Sequence, residues 1–375
     1  MRKAIVLSTG LAMFSMFFGS GNLVFPIIVG QTSDGHLFLS TLGILLTGVV
    51  VPFLGVTALI LFNGDQNAFF ERLGKAATFW FPLFALSLMG PFGVMARCIT
   101  VAFASCQSLV PFLNLPLFSL IFCSFIFILC FNKKKIISIL GTILTPFLLL
   151  SLAAIAFFGL QNLKLPVAEV GTGWIAFKEG LFQGYQTMDL LASFFFSTFI
   201  IKALRAKVDE KKSLVIFGYS SLIAGGLLSL IYFVLVTIGC TYSDVLVNLP
   251  PEKMLIVIVH KAIGSFAVPL VGIAVALACF TTAVVLASLF SEFLQKDVSK
   301  NRISSSWSML ITLAIGFSIS TLNFSGIAAF LGPILEAIYP ALIIFTVLNI
   351  AFKLWGLKMV RMPVTMSLLL KLIWI

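Results

Sequence analysis

The chain has little charge, and this scarcity excludes a water-soluble protein. Only 10% of its 375 residues are charged, against roughly a quarter in soluble domains, whereas 60% are hydrophobic. The mean hydropathy is +1.16. So little polar surface cannot cover a globule in water. The sequence therefore predicts a polytopic membrane protein.

Several other patterns are absent. Strand-like alternation is missing, and apolar stretches of about 20 residues predict transmembrane α-helices. The six cysteines have no CxxC spacing, which argues against a disulfide framework or a metal site. There is no P-loop, HExxH or GxSxG motif, so we expect neither an enzyme nor an ATP-driven pump, and no cofactor.

Apolar runs between polar breaks predict an all-α protein with ten membrane spans. They lie near residues 5–30, 37–62, 79–110, 114–131, 136–160, 180–201, 213–240, 255–293, 303–321 and 326–352. A further apolar piece, 362–375, contains Lys371 and falls short of a crossing. We expect 353–375 to be a short tail or an incomplete eleventh helix. The first span lacks a small-residue cleavage pattern, so we expect it to be retained.

The basic residues predict the orientation. Eighteen of the 24 Lys and Arg residues fall in alternate loops, and only four fall in the other set of loops. Because basic loops stay in the cytoplasm, we predict a cytoplasmic N-terminus. The net charge of +11 therefore concerns topology, and we expect membrane lipids rather than nucleic acid as partners.

Two spans contain candidate breaks at corresponding positions. The first carries Gly19-Ser20-Gly21-Asn22 ahead of Pro26, and the sixth opens with the segment 180–189. Broken helices five spans apart indicate two inverted five-helix repeats with a midplane site. The predicted organisation is a first repeat, an extracytoplasmic connector, a second repeat and the tail, over residues 1–160, 161–179, 180–352 and 353–375.

The first break suits an anionic group. A half-helix that begins after Gly19-Ser20-Gly21 would direct free backbone N–H groups and a positive dipole end at a carboxylate. The alternative is that Gly19 and Gly21 form a small-residue packing face.

Three ionisable residues lie at membrane depth, where such residues are expected to be functional. Asp189 could meet a substrate ammonium, a cation or Arg97, or line a solvated cavity. We expect Arg97 to be an inward, paired structural or gating residue, and we group it with Glu336 as a gating or structural pair. Glu336 lies between Pro333 and Pro340 in a predicted broken span, where it contacts helix-end N–H groups or carries a proton.

Five ordered motifs resemble the branched-chain amino acid:cation symporter family (BrnQ-like, LIVCS). They are Phe18-Gly19-Ser20-Gly21-Asn22-Leu23-Val24-Phe25-Pro26, Gly90-Pro91 with Arg97, Gly184-Tyr185-Gln186-Thr187-Met188-Asp189, Leu277-Ala278-Cys279-Phe280-Thr281-Thr282-Ala283 and Pro333-Ile334-Leu335-Glu336-Ala337-Ile338-Tyr339-Pro340. This resemblance implies the five-plus-five inverted-repeat architecture of the neurotransmitter-sodium-symporter fold, alternating access and a bacterial inner membrane.

The resemblance also implies a sodium site. Its ligands would be the side chains of Thr281 and Thr282 and the backbone carbonyls of Ala278, Ser15 and Phe18. The alternative is that each threonine bonds the carbonyl one turn earlier and only bends its helix.

We predict a secondary transporter that imports leucine, isoleucine or valine with Na⁺. The predicted substrate contacts are Gly19, Ser20, Gly21, Asn22, Tyr185, Gln186, Thr187 and Asp189. H⁺ coupling, a permease for another amino acid or a purine, and a channel remain the alternatives. The sequence leaves the oligomeric state open.

Overall fold

The computed structural model describes residues 2–107, 109–130, 145–161, 163, 166, 170–206 and 208–373. Within these ranges the chain is helical and has no β-strand. The helices are α1 Arg2–Phe17, α2 Ser20–Gln31, α3 Leu37–Leu61, α4 Gln66–Glu71, α5 Ala77–Met89, α6 Val94–Cys106, α7 Leu115–Cys130, α8 Thr145–Gly159, α9 Gly173–Gln186, α10 Asp189–Arg205, α11 Glu210–Thr241, α12 Ser243–Leu246, α13 Pro251–Ala262, α14 Ala267–Val298, α15 Ser305–Ser320, α16 Asn323–Trp355 and α17 Arg361–Ile373. One π-helical turn lies inside α3 and another ends α14.

The described helices follow the order of the predicted spans. Six stretches are long and apolar enough to cross a membrane, namely α3, α5 with α6, α9 with α10, α11, α14 and α16. The pair α1 and α2 forms a seventh, bent by 69°, and α7, α8 and α15 are shorter apolar helices. Residues 136–144 of the predicted fifth span lie outside the described residues.

The structure corrects two predicted spans. The predicted span 255–293 is two helices, α13 and α14, because the chain turns at Gly264, whose φ is +108°. Averaged hydropathy does not register such a turn, since the polar residues His260, Lys261 and Ser265 lie between two strongly apolar stretches. The sixth span begins at Gly173 rather than at residue 180.

The sixth span packs against the second and the first packs against the seventh. At the contact of α2 with α11, a Cβ on Gly30 would lie 2.1 Å from the Val236 carbonyl oxygen. At the contact of α9 with α3, a Cβ on Gly180 would lie 2.3 Å from the Ser40 carbonyl oxygen. Glycine therefore allows both backbone approaches. The first span thus packs on the seventh, and the sixth packs on the second. An inverted repeat produces this pair of equivalent contacts.

The tenth span is not broken, so that prediction is wrong. Helix α16 continues through both Pro333 and Pro340 for 33 residues. Each proline removes one backbone hydrogen bond, but the bonds on either side persist, as often happens in membrane helices.

Candidate functional site

The first break lies at Phe18 and Gly19, between α1 and α2. The Gly19 N–H donates to the Phe17 carbonyl oxygen at 2.9 Å and to Asn22 Oδ1 at 3.2 Å, so the regular helical ladder is interrupted. Gly19 is the N-cap of α2 and has no side chain, so it cannot cap the first amides of this half-helix. The predicted break is confirmed, and Gly19, Ser20, Gly21 and Asn22 are all buried there.

The second break lies at Thr187 and Met188, between α9 and α10. Met188 is in the left-handed conformation with φ of +60°, which a bulky residue rarely adopts. The Thr187 hydroxyl donates to the Gly184 carbonyl oxygen at 2.9 Å. Tyr185 and Gln186, predicted to be unwound, still belong to the last turn of α9.

The two breaks meet. A Cβ added to Gly21 would lie 3.4 Å from the Cα of Thr187 and 3.2 Å from the Phe25 ring. Helix α2, which follows the first break, therefore begins directly against the backbone of the second break. Gly21 thus packs closely against the interrupted sixth span, and this contact fits both the packing and the substrate-site interpretations of these glycines.

Asn22, Asp189 and Tyr232 form a buried polar cluster beside this contact. Asn22 Nδ2 donates to Asp189 Oδ2 at 2.6 Å and to the Tyr232 hydroxyl at 2.7 Å. The Tyr232 hydroxyl donates to Asp189 Oδ2 at 3.2 Å. Asp189 is only 2% exposed, and its partners are neutral. The cluster thus joins α2, α10 and α11 around one carboxylate.

Arg97 contacts the end of α9 and, within the described part of the chain, forms no ion pair with a carboxylate. Its Nη1 donates to the Gln186 carbonyl oxygen and its Nη2 donates to Gln186 Oε1, both at 2.7 Å. The guanidinium lies 5.1 Å from the ring centroid of Phe25 and 5.5 Å from that of Phe324. A cation at the C-terminal end of a helix is favourable, and the two rings add to this stabilisation.

The predicted ion pairs of Arg97 are therefore not formed. Among the described residues no ion pair joins Arg97 to Asp189 or to Glu336. Arg97 is 1% exposed, and its Nε has no hydrogen-bond partner there. Glu336 is half-buried on the continuous helix α16, one turn after Gly332, where a Cβ would lie 3.0 Å from Gln186 Nε2.

Thr282 faces the first break from α14, and Thr281 precedes it in the same helical turn. Both hydroxyls donate to the Ala278 carbonyl oxygen, at 2.8 and 3.1 Å, which is the back-bonded geometry of the alternative interpretation. A Cβ on Gly19 would nevertheless lie 3.7 Å from Thr282 Oγ1. Each hydroxyl oxygen keeps a lone pair after donating its proton, so it retains the capacity to coordinate a cation.

The predicted carbonyl ligands Ser15 and Phe18 are buried at the end of α1 and in the break. Gly19, the next residue along, brings this end of the chain to Thr282. The structure thus gathers the first break, the second break and the threonine turn of α14 in one region.

Comparison with known proteins assigns the family. A sequence model for the family described as branched-chain amino acid transport protein matches residues 2–374. The chain belongs to this family. The resemblance indicated by the sequence motifs is thereby confirmed.

Two curated relatives show how far the similarity extends. The branched-chain amino acid permease BraB of Bacillus subtilis is 29% identical over 363 residues, which span 92% of this chain and 80% of the relative. The branched-chain amino acid transport system 3 carrier protein of Pseudomonas aeruginosa is 29% identical over 365 residues, 93% of this chain and 81% of the relative.

Solved structures share the fold. The inward-facing conformation of Mhp1 matches with a TM-score of 0.62 and 14% identity, over 93% of this chain and 77% of that one. MhsT in complex with L-phenylalanine matches with a TM-score of 0.61 and 15% identity, over 98% of each chain. The protein is therefore a multi-pass membrane transporter with the inverted-repeat fold, not an enzyme.

Sequence reasoning missed Tyr232. It lies in the apolar helix α11 and has no motif around it that marks a site. Only the register of α11 against α2 brings its hydroxyl to Asn22 and Asp189.

Proposed function

We propose that this protein imports branched-chain amino acids by symport with a cation, through alternating access around the meeting point of the two breaks. Leucine, isoleucine and valine are the proposed substrates, and Na⁺ is the proposed coupling ion. The meeting of an uncapped half-helix with a buried carboxylate carries this proposal, because an amino acid presents both complementary charges on one carbon.

The substrate carboxylate would bind at the start of α2. The amide of Gly19 is engaged with Phe17 and Asn22. The next amides, those of Ser20 and Gly21, lie in the first turn, where the helix dipole favours negative charge. The close approach of Gly21 to Thr187 would place this end of the substrate beside the second break.

The substrate ammonium would face Asp189. This carboxylate has neutral donors, and no basic side chain forms an ion pair with it among the described residues. A buried charge without a counter-ion is costly, so a bound ammonium would supply the missing positive charge. Asn22 and Tyr232 would hold the carboxylate in place, and Thr187 would line the unwound segment.

The cation would bind beside the first break. Thr281, Thr282 and the Ala278 carbonyl supply three oxygens within one turn of α14. The Ser15 and Phe18 carbonyls would complete the set from the first span. Since these ligands lie on both α14 and the first span, a bound cation would stabilise one arrangement of the two and so couple its gradient to substrate movement.

The basic loops support a cytoplasmic N-terminus. The bacterial relatives support a bacterial inner membrane as the location. In this orientation α1 and α10 lie on the cytoplasmic side of the breaks. Arg97, which joins α6 to the end of α9, would then be a gating contact.

Radiolabelled leucine uptake into proteoliposomes tests the proposal. The purified protein is reconstituted, and an inward Na⁺ gradient, an inward H⁺ gradient or no gradient is imposed across the vesicle membrane. Unlabelled isoleucine, valine and a purine serve as competitors. We expect accumulation above equilibrium with Na⁺ and competition only by the aliphatic amino acids. Accumulation driven by H⁺ alone would overturn Na⁺ coupling and favour Asp189 as a proton carrier, whereas mere equilibration would contradict symport.

A further inference from the structure

A cavity that shares no residue with the two breaks lies between the short helix α4 and the chain that joins α16 to α17. Its volume is about 620 Å³. Its lining includes three basic residues, Arg72, Lys358 and Arg361, and one acidic residue, Glu71. The proposed transport function uses none of these residues.

The position of Arg72 is fixed by the surrounding chain. Its guanidinium carbon lies 3.7 Å from the centroid of the Phe352 ring, and its Nη2 donates to the Lys358 carbonyl oxygen at 3.2 Å. Its Nε is buried and has no hydrogen-bond partner among the described residues. One strong donor of the cavity wall is therefore left without an acceptor.

The charges of the cavity do not balance. No ion pair joins Glu71 to a basic residue among the described residues. Burial, and then the positive charge of Arg361, lower the pKa of Arg72. Like charges held close together favour an anion between them, and guanidinium groups bind the oxygens of a phosphate especially well.

The cavity lies where the tenth span leaves the bilayer. Helix α16 ends at Trp355, which is 75% exposed, and Gly356 ends it in the left-handed conformation. Met359 and Met362, each 65% exposed, border the cavity. Exposed tryptophan and apolar side chains next to basic residues are typical of the boundary between lipid tails and headgroups.

We propose that this cavity binds the headgroup phosphate of an anionic phospholipid through Arg72, Lys358 and Arg361. The acyl chains extend along the exposed methionines. A zwitterionic headgroup carries its own cation, which the three basic side chains repel, so the site prefers phosphatidylglycerol over phosphatidylcholine.

Native mass spectrometry of the purified full chain tests this site. Phosphatidylglycerol, phosphatidylcholine and inorganic phosphate are titrated separately, and the bound fraction gives an apparent Kd. The test variant combines Lys358→Gln with Arg361→Gln and keeps Arg72, which supports the local fold. Its matched control combines Lys300→Gln with Arg302→Gln, two exposed basic residues in another basic loop.

We expect the wild type to bind phosphatidylglycerol more tightly than phosphatidylcholine. Because each basic side chain contributes about fivefold at an anionic lipid surface, the test variant should lose roughly 25-fold in affinity for phosphatidylglycerol. The control variant should bind as the wild type does. Glu71→Gln removes the opposing charge and should tighten binding by a few fold, which provides an independent test if the double variant does not fold.

Four results would overturn the proposal. Equal affinity for the two lipids, or unchanged phosphatidylglycerol binding by the test variant, would show that the cavity does not select an anionic headgroup. Binding of inorganic phosphate without the lipid would make it a site for a free anion. If the test variant changed the dimer fraction in the mass spectra while its lipid binding stayed constant, this face would be a contact between two copies of the chain.

Discussion

The two broken spans differ in composition, geometry and electrostatics. The first breaks at Gly19, bends by 69° and has no charged residue of its own between Ala4 and Gln31. The sixth breaks at Thr187 and Met188, yet its halves remain aligned well enough to form one span of 33 residues. Arg97 holds the end of one half, and Asp189 begins the other.

This difference indicates a division of roles. The first break presents backbone amides, which need glycine for close approach and no charge of their own. The second break presents the ionisable side chain of Asp189. Such a side chain depends on hydrogen-bond partners that hold it in place and does not require a large bend. Under the proposed function, the two breaks together match an amino acid, and neither break does so alone.

Gly21→Leu should have the largest effect on this pairing. A Cβ at this position already lies 3.2 Å from the Phe25 ring and 3.4 Å from Thr187 Cα, so a leucine side chain would force the two breaks apart. We expect leucine uptake to be abolished. Gly226→Leu is the matched control, because nothing lies within 4 Å of a Cβ there. Normal uptake by the Gly21 variant would defeat the account of the meeting breaks.

Asp189→Asn should have the next largest effect, since it removes the charge of the second break and keeps the side-chain shape. Losing one partner of a buried charge pair costs about 2–5 kcal/mol, so the KM for leucine should rise by at least about 30-fold. The readouts are uptake kinetics and the stabilisation of the protein by leucine in a thermal unfolding assay. The exposed Asp244→Asn is the control, and an unaltered KM in the Asp189 variant would separate this carboxylate from the substrate.

Arg97→Lys should slow turnover. Lysine cannot donate to both the Gln186 carbonyl and its Oε1 with the fixed geometry of a guanidinium. Losing one charge-assisted hydrogen bond of about 1.5–3 kcal/mol should lower kcat roughly tenfold or more and change KM less. The exposed Arg302→Lys should behave as the wild type. A change confined to KM would instead place Arg97 on the substrate.

Thr281→Val should have the smallest effect and should alter the cation dependence alone. Removing one hydroxyl oxygen of about 1 kcal/mol should raise the Na⁺ concentration for half-maximal uptake about fivefold. Thr312→Val is the matched control, because that hydroxyl is also buried and donates to the carbonyl four residues earlier, at 2.8 Å. If both variants need the same Na⁺ concentration, the turn of α14 is not a cation site.

The sequence predicts the first break better than the second for a physical reason. Gly19-Ser20-Gly21 carries intrinsic backbone freedom, so its interruption is local and visible in the residues themselves. Thr187 and Met188 are ordinary residues whose conformation depends on their surroundings, including Arg97 at Gln186 and Gly21 at Thr187. Local propensity could place that break only within a ten-residue segment.

Tertiary contacts explain the other differences. The partner of Arg97 is a helix end, which offers an acceptor without any acidic residue to mark it in the sequence. Tyr232 reaches Asp189 only through the register of α11 against α2. Pro333 and Pro340 predict a break in the sequence, but the helical hydrogen bonds around them keep α16 continuous. The order of the spans follows from hydropathy summed over many residues, and the family follows from local motifs. The sequence therefore predicts both of them well.

Photo-crosslinking tests the central claim most directly. A diazirine analogue of leucine, activated on the purified protein and mapped by peptide mass spectrometry, labels whatever surrounds the bound side chain. We predict label in residues 18–25 and in residues 184–190, lost in excess leucine and absent from the Asp189→Asn variant. Leucine-protected label confined to one of these segments, or found only elsewhere in the chain, would contradict a substrate site built where the two breaks meet.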